Sequence, residues 1–80
     1  MKSKEAIRKR ILDLCDQRNM TLNALGRVCG ITQSTLNNII SGRNNSTTVA
    51  TIKKICDGLD MALPSFFDSE YFQNLDQEIF

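Results

Sequence analysis

The 80-residue chain has no histidine and no tryptophan, a single proline, and only three cysteines. An odd number of cysteines, with no Cys-x-x-Cys pair and no histidine, argues against both a disulfide framework and a zinc site. We therefore expect Cys15, Cys29 and Cys56 to be packing residues, because a free cysteine behaves as a small hydrophobic side chain. No metal and no cofactor are expected.

Catalytic and membrane signals are also missing. Without histidine, paired acids in an apolar context or a glycine-rich phosphate loop, the chain lacks a recognisable catalytic constellation, and we do not expect an enzyme. No run approaches the roughly 18 apolar residues of a membrane span, and the charged start MKSKEAIRKR lacks the apolar segment of a signal peptide. A hydrophobic content of 41% in this length indicates one small domain. We expect it in the cytoplasm, away from membranes.

The charge is unevenly distributed along the chain. Residues 1–56 contain all ten basic residues and three acidic ones, a net charge of +7, whereas residues 57–80 contain six acidic residues and no basic one. The overall charge of +1 hides this division. Such asymmetry suggests a basic surface for a polyanion and an acidic end kept away from it.

Residues 21–42 (TLNALGRVCGITQSTLNNIISG) encode two short helices joined by a tight turn. Gly30 lies where the first helix must end, since a residue without Cβ takes the left-handed conformation at little cost. Thr32 is then a good N-cap for a second helix over residues 33–41, and Gly26 lets the two helix backbones approach closely. This spacing predicts a helix-turn-helix. The apolar residues expected to join the two helices are Leu25, Val28, Cys29, Leu36, Ile39 and Ile40.

The remaining sequence predicts three more helices and a tail, so the expected fold is all-α with five helices. The first helix should run from about residue 4 to 18, with Arg8, Lys9 and Arg10 mostly towards solvent. Loop 42–48 should end in another threonine cap, and Pro64 is acceptable in the first turn of a fifth helix. The expected buried residues of helices one, four and five are Ile7, Ile11, Leu14, Val49, Ile52, Ile55, Cys56, Leu59, Phe66 and Phe67.

The helix-turn-helix resembles that of the lambda-repressor-like, Cro/Xre class of transcriptional regulators. Gly26 is followed by Gly30 four residues later, then by Leu36 and Ile39 six and nine residues beyond Gly30. The resemblance extends to residues 18–21, 41–44, 51–59 and 63–67, and covers roughly three quarters of the chain. It implies a compact DNA-binding domain over residues 1–68, followed by an amphipathic tail over residues 69–80.

Helix three presents polar side chains that suit base edges in the major groove of double-stranded DNA. Its predicted base-reading residues are Gln33, Ser34, Asn37 and Asn38, with the N-terminal pair first. Phosphate contacts are expected at the N-termini of helices two and three and in the loop after helix three, which resembles the family's backbone-binding loop. The predicted phosphate-binding residues are Thr21, Asn23, Thr32, Thr35, Ser41, Arg43, Asn44 and Asn45. Leu22 departs from the family, since many relatives have a phosphate-clamping glutamine there.

A domain of this size covers about half of a typical operator, so the resemblance implies a repressor acting as a homodimer on a palindromic site. In the tail, Tyr71, Phe72, Leu75 and Ile79 recur at helical spacing and form either a dimerisation surface or a cover for their own core. Two other functions stay open. An antitoxin-type regulator would also bind a toxin protein through its acidic tail, and a protein-interaction adaptor would be indifferent to DNA.

Overall fold

The computed structural model describes residues 1–42 and 47–79, which contain five α-helices, one short 3-10 helix and no strand. The all-α expectation is therefore confirmed. The elements in chain order are α1 (Ser3–Gln17), α2 (Leu22–Cys29), α3 (Gln33–Ser41), α4 (Val49–Gly58), α5 (Leu63–Phe67) and the 3-10 helix Glu70–Phe72. None of these helices combines the length and the apolar character needed to cross a membrane.

Threonine side chains fix where α2, α3 and α4 begin. The hydroxyl oxygens of Thr21, Thr32 and Thr48 accept the backbone N–H three residues ahead, at 3.1, 3.2 and 3.1 Å. Each bond satisfies an amide that has no partner inside its helix. Gly30 and Gly42 end α2 and α3 with φ of 69° and 77°. These local signals are the ones that the sequence predicted.

One hydrophobic core unites all five helices, and Leu36, Ile55 and Phe66 at its centre are completely buried. Two apolar predictions are wrong. Val28 is 55% exposed and Val49 is 66% exposed, so neither contributes to the core. The buried faces of α2 and α4 are narrower than the apolar pattern of the sequence indicates.

The prediction that Arg10 faces solvent is also wrong. Its side chain points inward and is only 9% exposed. Its guanidinium donates hydrogen bonds to the carbonyl oxygens of Ser65 and Phe66 in α5, and it lies 3.7 Å from the carboxylate of Asp13. Hydrogen bonds of this kind allow a charged group to be buried. Arg10 thus belongs to the packed interior.

The chain after α5 packs on its own domain. The ring of Phe72 lies 6.1 Å from that of Phe66 and 5.0 Å from that of Phe67, centroid to centroid, in tilted and edge-to-face arrangements. Phe67 itself is 39% exposed and closes the core less fully than predicted. Residues 73–79 are not helical. The prediction of a helical apolar stripe in the tail is therefore wrong.

All three cysteines are free and buried, as expected for packing residues. Burial raises the pKa of each thiol, since the charged thiolate loses its hydration. Cys29 lies at a close crossing of α2 and α4, where a Cβ added to Gly58 would lie 2.9 Å from the Cys29 Cα. Among the described residues, no group of three or more His, Cys, Asp or Glu side chains can hold a metal ion.

Candidate nucleic-acid interface

Backbone contacts beside the turn between α2 and α3 leave no room for a side chain on Gly26. The N–H groups of Gly30 and Ile31 both donate to the carbonyl oxygen of Gly26, the second at 2.9 Å. A Cβ on Gly26 would lie 2.9 Å from the Ile31 oxygen and 3.1 Å from Cδ1 of Leu36. Gly26 therefore allows α3 to lie directly against α2, which fixes the angle at which α3 is presented.

The outer face of α3 is polar, as the sequence predicts. Leu36 and Ile39 are buried and Ile40 is half-buried, so the helix has one side attached to the core. The predicted base-reading residues lie on the rest of its surface: Gln33, Ser34 and Asn37 are exposed, and Asn38 is half-buried. The structure thus brings all four together on one helix.

A groove of about 390 Å³ separates this face from α2. It is lined by Asn23 and Arg27 on the α2 side, by Gln33 on the α3 side, and by Gly26 and Ile31. Arg27 gives the groove a positive charge beside the first residue of α3. An open, polar groove with one cation suits the edge of a polyanion.

The α2 side of the groove contains Asn23, which the sequence predicts to bind phosphate, and Arg27, which the sequence places on the outward side of the second helix, either beside phosphate or simply in solvent. Asn23 and Arg27 are four residues apart and therefore share a helix face. Leu22 is half-buried and packs against the core, so this position cannot supply the phosphate-binding amide of many relatives.

Several predicted phosphate-binding hydroxyls are already used within the domain. The Thr21 and Thr32 oxygens cap their helices, and the Thr32 hydroxyl donates to Oγ1 of Thr35 at 2.9 Å. The Ser41 hydroxyl donates to the carbonyl oxygen of Asn38 at 3.4 Å. A phosphate at the starts of α2 and α3 would meet backbone N–H groups, together with the hydroxyls of Thr21 and Thr35, whose oxygens accept in these bonds and whose O–H groups stay available to donate. The predicted loop residues Arg43, Asn44 and Asn45 lie outside the described residues.

Comparison with known proteins agrees with this geometry. A family model described as helix-turn-helix, of the Cro/C1 type, matches residues 11–66. The chain belongs to this helix-turn-helix family. The family supports a DNA-binding transcription regulator and is generally non-enzymatic.

One solved structure resembles this chain over almost its whole length. The crystal structure of the prophage Lp1 protein 11 is 32% identical, with a TM-score of 0.82, over 94% of this chain and 100% of that chain. No curated protein matches the chain. The family and lambda-repressor-like fold predicted from the sequence are confirmed.

The family match ends before the tail, whose residues are held against the beginning of α1. The N–H of Asp76 donates to the Met1 carbonyl oxygen at 3.0 Å, and its carboxylate lies 3.5 Å from the Met1 ammonium. The Ser3 N–H donates to Oε2 of Glu78 at 3.2 Å. Hydrogen bonds from Ser3 lower the pKa of Glu78, and the bond from the Ser3 side chain contributes more than the bond from its backbone.

The predicted dimerisation residues differ in how far they are exposed. Tyr71 and Phe72 are half-buried, whereas Leu75 is 37% exposed and Ile79 is 84% exposed. Phe72 is engaged with its own core. The exposed apolar residues of the tail are thus Leu75 and Ile79.

Proposed function

We propose that the chain is a sequence-specific regulator that binds double-stranded DNA and represses transcription as a homodimer on a palindromic operator. The observation that carries this proposal is the polar outer face of α3, held rigidly against α2 by the Gly26 contact. Family membership supports DNA binding and does not favour the antitoxin and adaptor alternatives.

In this proposal α3 enters the major groove with its N-terminal end nearest the base edges. Gln33 and Ser34 occupy that end and are exposed, so they are the first candidates for base contacts. Asn38 is half-buried and lies one turn further along, where a contact with a base or a neighbouring phosphate is available. Specificity then arises from amide and hydroxyl groups matched to donors and acceptors on the bases.

Phosphate binding is assigned to the groups that flank α3. Arg27 and Asn23 line the groove on the α2 side, and the loop residues Arg43, Asn44 and Asn45 follow α3 in the sequence. The net charge of +7 in residues 1–56 attracts DNA, while the acidic residues Asp76 and Glu78 are held at the start of α1. Attraction of this kind raises the association rate and depends on salt.

The size of the site supports the proposal of a dimer. One α3 reads about half of an operator, so two copies related by a twofold axis would read a palindrome. Leu75 and Ile79 are the exposed apolar residues proposed for contact between copies. Occupying an operator is sufficient to block transcription, so repression needs no chemistry beyond this binding site.

The test begins with selection of bound sequences from a random pool of DNA duplexes by the full chain. Gln33→Ala and Asn38→Ala should each reduce the preference for the selected site by about 1 to 3 kcal/mol while the fold stays intact. Gln73→Ala, which removes an exposed amide from the tail, is the matched control and should change nothing. A chain that shows no sequence preference, even at low salt, would overturn the proposal.

A further inference from the structure

The first residue of α3 is joined to a residue one turn later by a side-chain hydrogen bond. Nε2 of Gln33 donates to Oδ1 of Asn37 at 3.2 Å, and both side chains are exposed. Pairs four residues apart on a helix surface add little to its stability, especially in water. The consequence of this bond therefore lies in the orientation that it gives to the Gln33 amide.

We propose that Asn37 is a positioning residue that fixes the Gln33 amide in the orientation required to read adenine. This inference rests on the proposed function and changes the role of Asn37 within it. Asn37 acts on specificity through Gln33 and does not itself select a base.

The chemistry of the amide explains why orientation matters. A glutamine amide has two N–H donors and one acceptor oxygen, and rotation of the terminal torsion by half a turn exchanges their positions. The bond to Asn37 uses one N–H and leaves the second N–H and Oε1 of Gln33 for a base. A rotated Gln33 amide would place its oxygen against Oδ1 of Asn37, where two acceptors repel each other, so that the Gln33 amide turns only if the Asn37 amide turns with it.

The remaining donor and acceptor match one base. Adenine presents an N7 acceptor and an N6 amino donor side by side in the major groove, whereas guanine presents two acceptors there. A fixed Gln33 amide can accept from N6 and donate to N7, but it cannot offer two donors to guanine while one N–H is held by Asn37.

The oxygen of the Gln33 amide borders the open groove between α2 and α3, where it remains accessible. Oε1 of Gln33 faces α2, where a Cβ built on Gly26 would lie 3.7 Å from it. Leu22, the first residue of α2, is apolar and packs on the core, so it offers no amide to orient Gln33. The orientation is consequently set from within α3.

The test is a double-mutant cycle with the full chain and duplexes that differ at single base pairs. Asn37→Ala should lower the preference for adenine over guanine at one position by about tenfold. Its affinity for non-specific duplex, its salt dependence and its melting temperature should stay unchanged. Gln33→Ala should remove the same preference, and the double variant should equal Gln33→Ala alone. Asn74→Ala, an exposed asparagine of the tail, is the matched control.

Asn37→Asp separates orientation from a direct contact. Its carboxylate keeps an acceptor for Gln33 and removes the amide donor, so the adenine preference should survive while all duplexes bind more weakly by charge repulsion. In the free protein, NMR should show faster hydrogen exchange of one Gln33 Nε2 proton in Asn37→Ala than in the unchanged chain.

Two results would overturn the positioning role while leaving the proposed function intact. In the first, Gln33→Ala and Asn37→Ala lower the base preference at two different base pairs, and their effects add in the double variant. Asn37 would then contact a base independently of Gln33. The other is an adenine preference and a Gln33 amide signal that both survive Asn37→Ala. A complete lack of sequence preference in the unchanged chain would instead remove the proposed function, and the positioning role with it.

Discussion

Nε of Arg10 donates a hydrogen bond of 2.7 Å to the carbonyl oxygen of Phe66, and this contact joins the first helix to the fifth. A second bond, from Nη2 to the Ser65 oxygen, measures 2.8 Å. Both oxygens belong to the last turn of α5, where carbonyl groups lack the N–H that a longer helix would supply, although the Ser65 oxygen also accepts the Asp68 N–H at 3.3 Å. The planar fork of donors on arginine suits two neighbouring carbonyls. Arg10 therefore caps α5 from across the core.

Replacing this cap should destabilise the domain strongly. Arg10→Ala would leave the buried Phe66 carbonyl oxygen without its side-chain donor and would remove one of two donors from the Ser65 oxygen, and we expect a loss of about 3 kcal/mol in the free energy of unfolding. Arg10→Lys keeps the charge but not the fork, so its loss should be smaller. Lys9→Ala, at a partly exposed position on the same helix, should change stability by less than about 0.5 kcal/mol. Urea unfolding measures all three, and similar values for Arg10→Ala and Lys9→Ala would contradict the capping role.

Two glycines in α2 and α4 allow stability to be separated from DNA reading. A Cβ on Gly26 would meet the Ile31 oxygen, and a Cβ on Gly58 would meet the Cys29 backbone, each at 2.9 Å. Gly26→Ala and Gly58→Ala should each cost about 1 to 3 kcal/mol through overpacking.

The effect on DNA should differ between the two variants. Gly26→Ala displaces α3 relative to α2, whereas Gly58→Ala acts at the crossing of α2 and α4. At a temperature where both variants are fully folded by circular dichroism, only Gly26→Ala should weaken binding to the selected site. If both variants weakened DNA binding equally, the effect of Gly26 on binding would not come from the angle between α2 and α3.

Arg27 should contribute to DNA binding without contributing to sequence preference. Arg27→Ala should lower affinity for all duplexes alike and reduce the slope of log K against log salt by about one unit, as expected for a phosphate contact. Lys53→Ala removes the same charge from α4, where Lys53 is paired with Asp57, and should leave the slope unchanged. Arg43→Ala is predicted from the sequence to behave as Arg27→Ala does. A loss confined to one DNA sequence would instead place the arginine against a base.

Self-association through the tail is tested by its two exposed apolar residues. Leu75→Ser combined with Ile79→Ser should shift the chain towards monomer in sedimentation, with a smaller fall in melting temperature than Phe72→Ala, because Ile79 is 84% exposed and Leu75 is 37% exposed. Phe72→Ala should do the reverse, lowering the melting temperature through lost contact with Phe66 and Phe67. A monomeric unchanged chain, or a double variant that associates equally well, would exclude these residues as the dimer contact.

Local signals in the sequence predicted the helix-turn-helix closely. Thr21 and Thr32 act through the backbone three residues ahead, and Gly30 acts through its own φ, so each is readable without knowing the rest of the fold. The exposed face of α3 was equally predictable, because the burial of Leu36 and Ile39 determines which side remains outside.

Predictions failed where the deciding partner is distant in the chain. Arg10 stands in a run of three basic residues, and no pattern near it indicates that its partners are backbone carbonyls in α5. Apolar spacing in the tail matched a helix, but residues 73–79 are not helical and bond to Met1 and Ser3 instead. The exposure of Val49, at the first position of α4, depends on where that helix meets its neighbours.

The separation of 56 residues between Arg10 and Phe66 also bears on how the domain is completed during synthesis. α1 leaves the ribosome early, but the carbonyl groups that receive its guanidinium are made near the end of the domain. Until then a buried Arg10 would keep only its contact with Asp13 and would lack both hydrogen-bond acceptors in α5, which is costly. Partly synthesised chains must therefore keep Arg10 in water and leave α1 short of its final position. α1 can reach its final packed position only after α5 has been synthesised. The domain therefore folds as a unit rather than helix by helix.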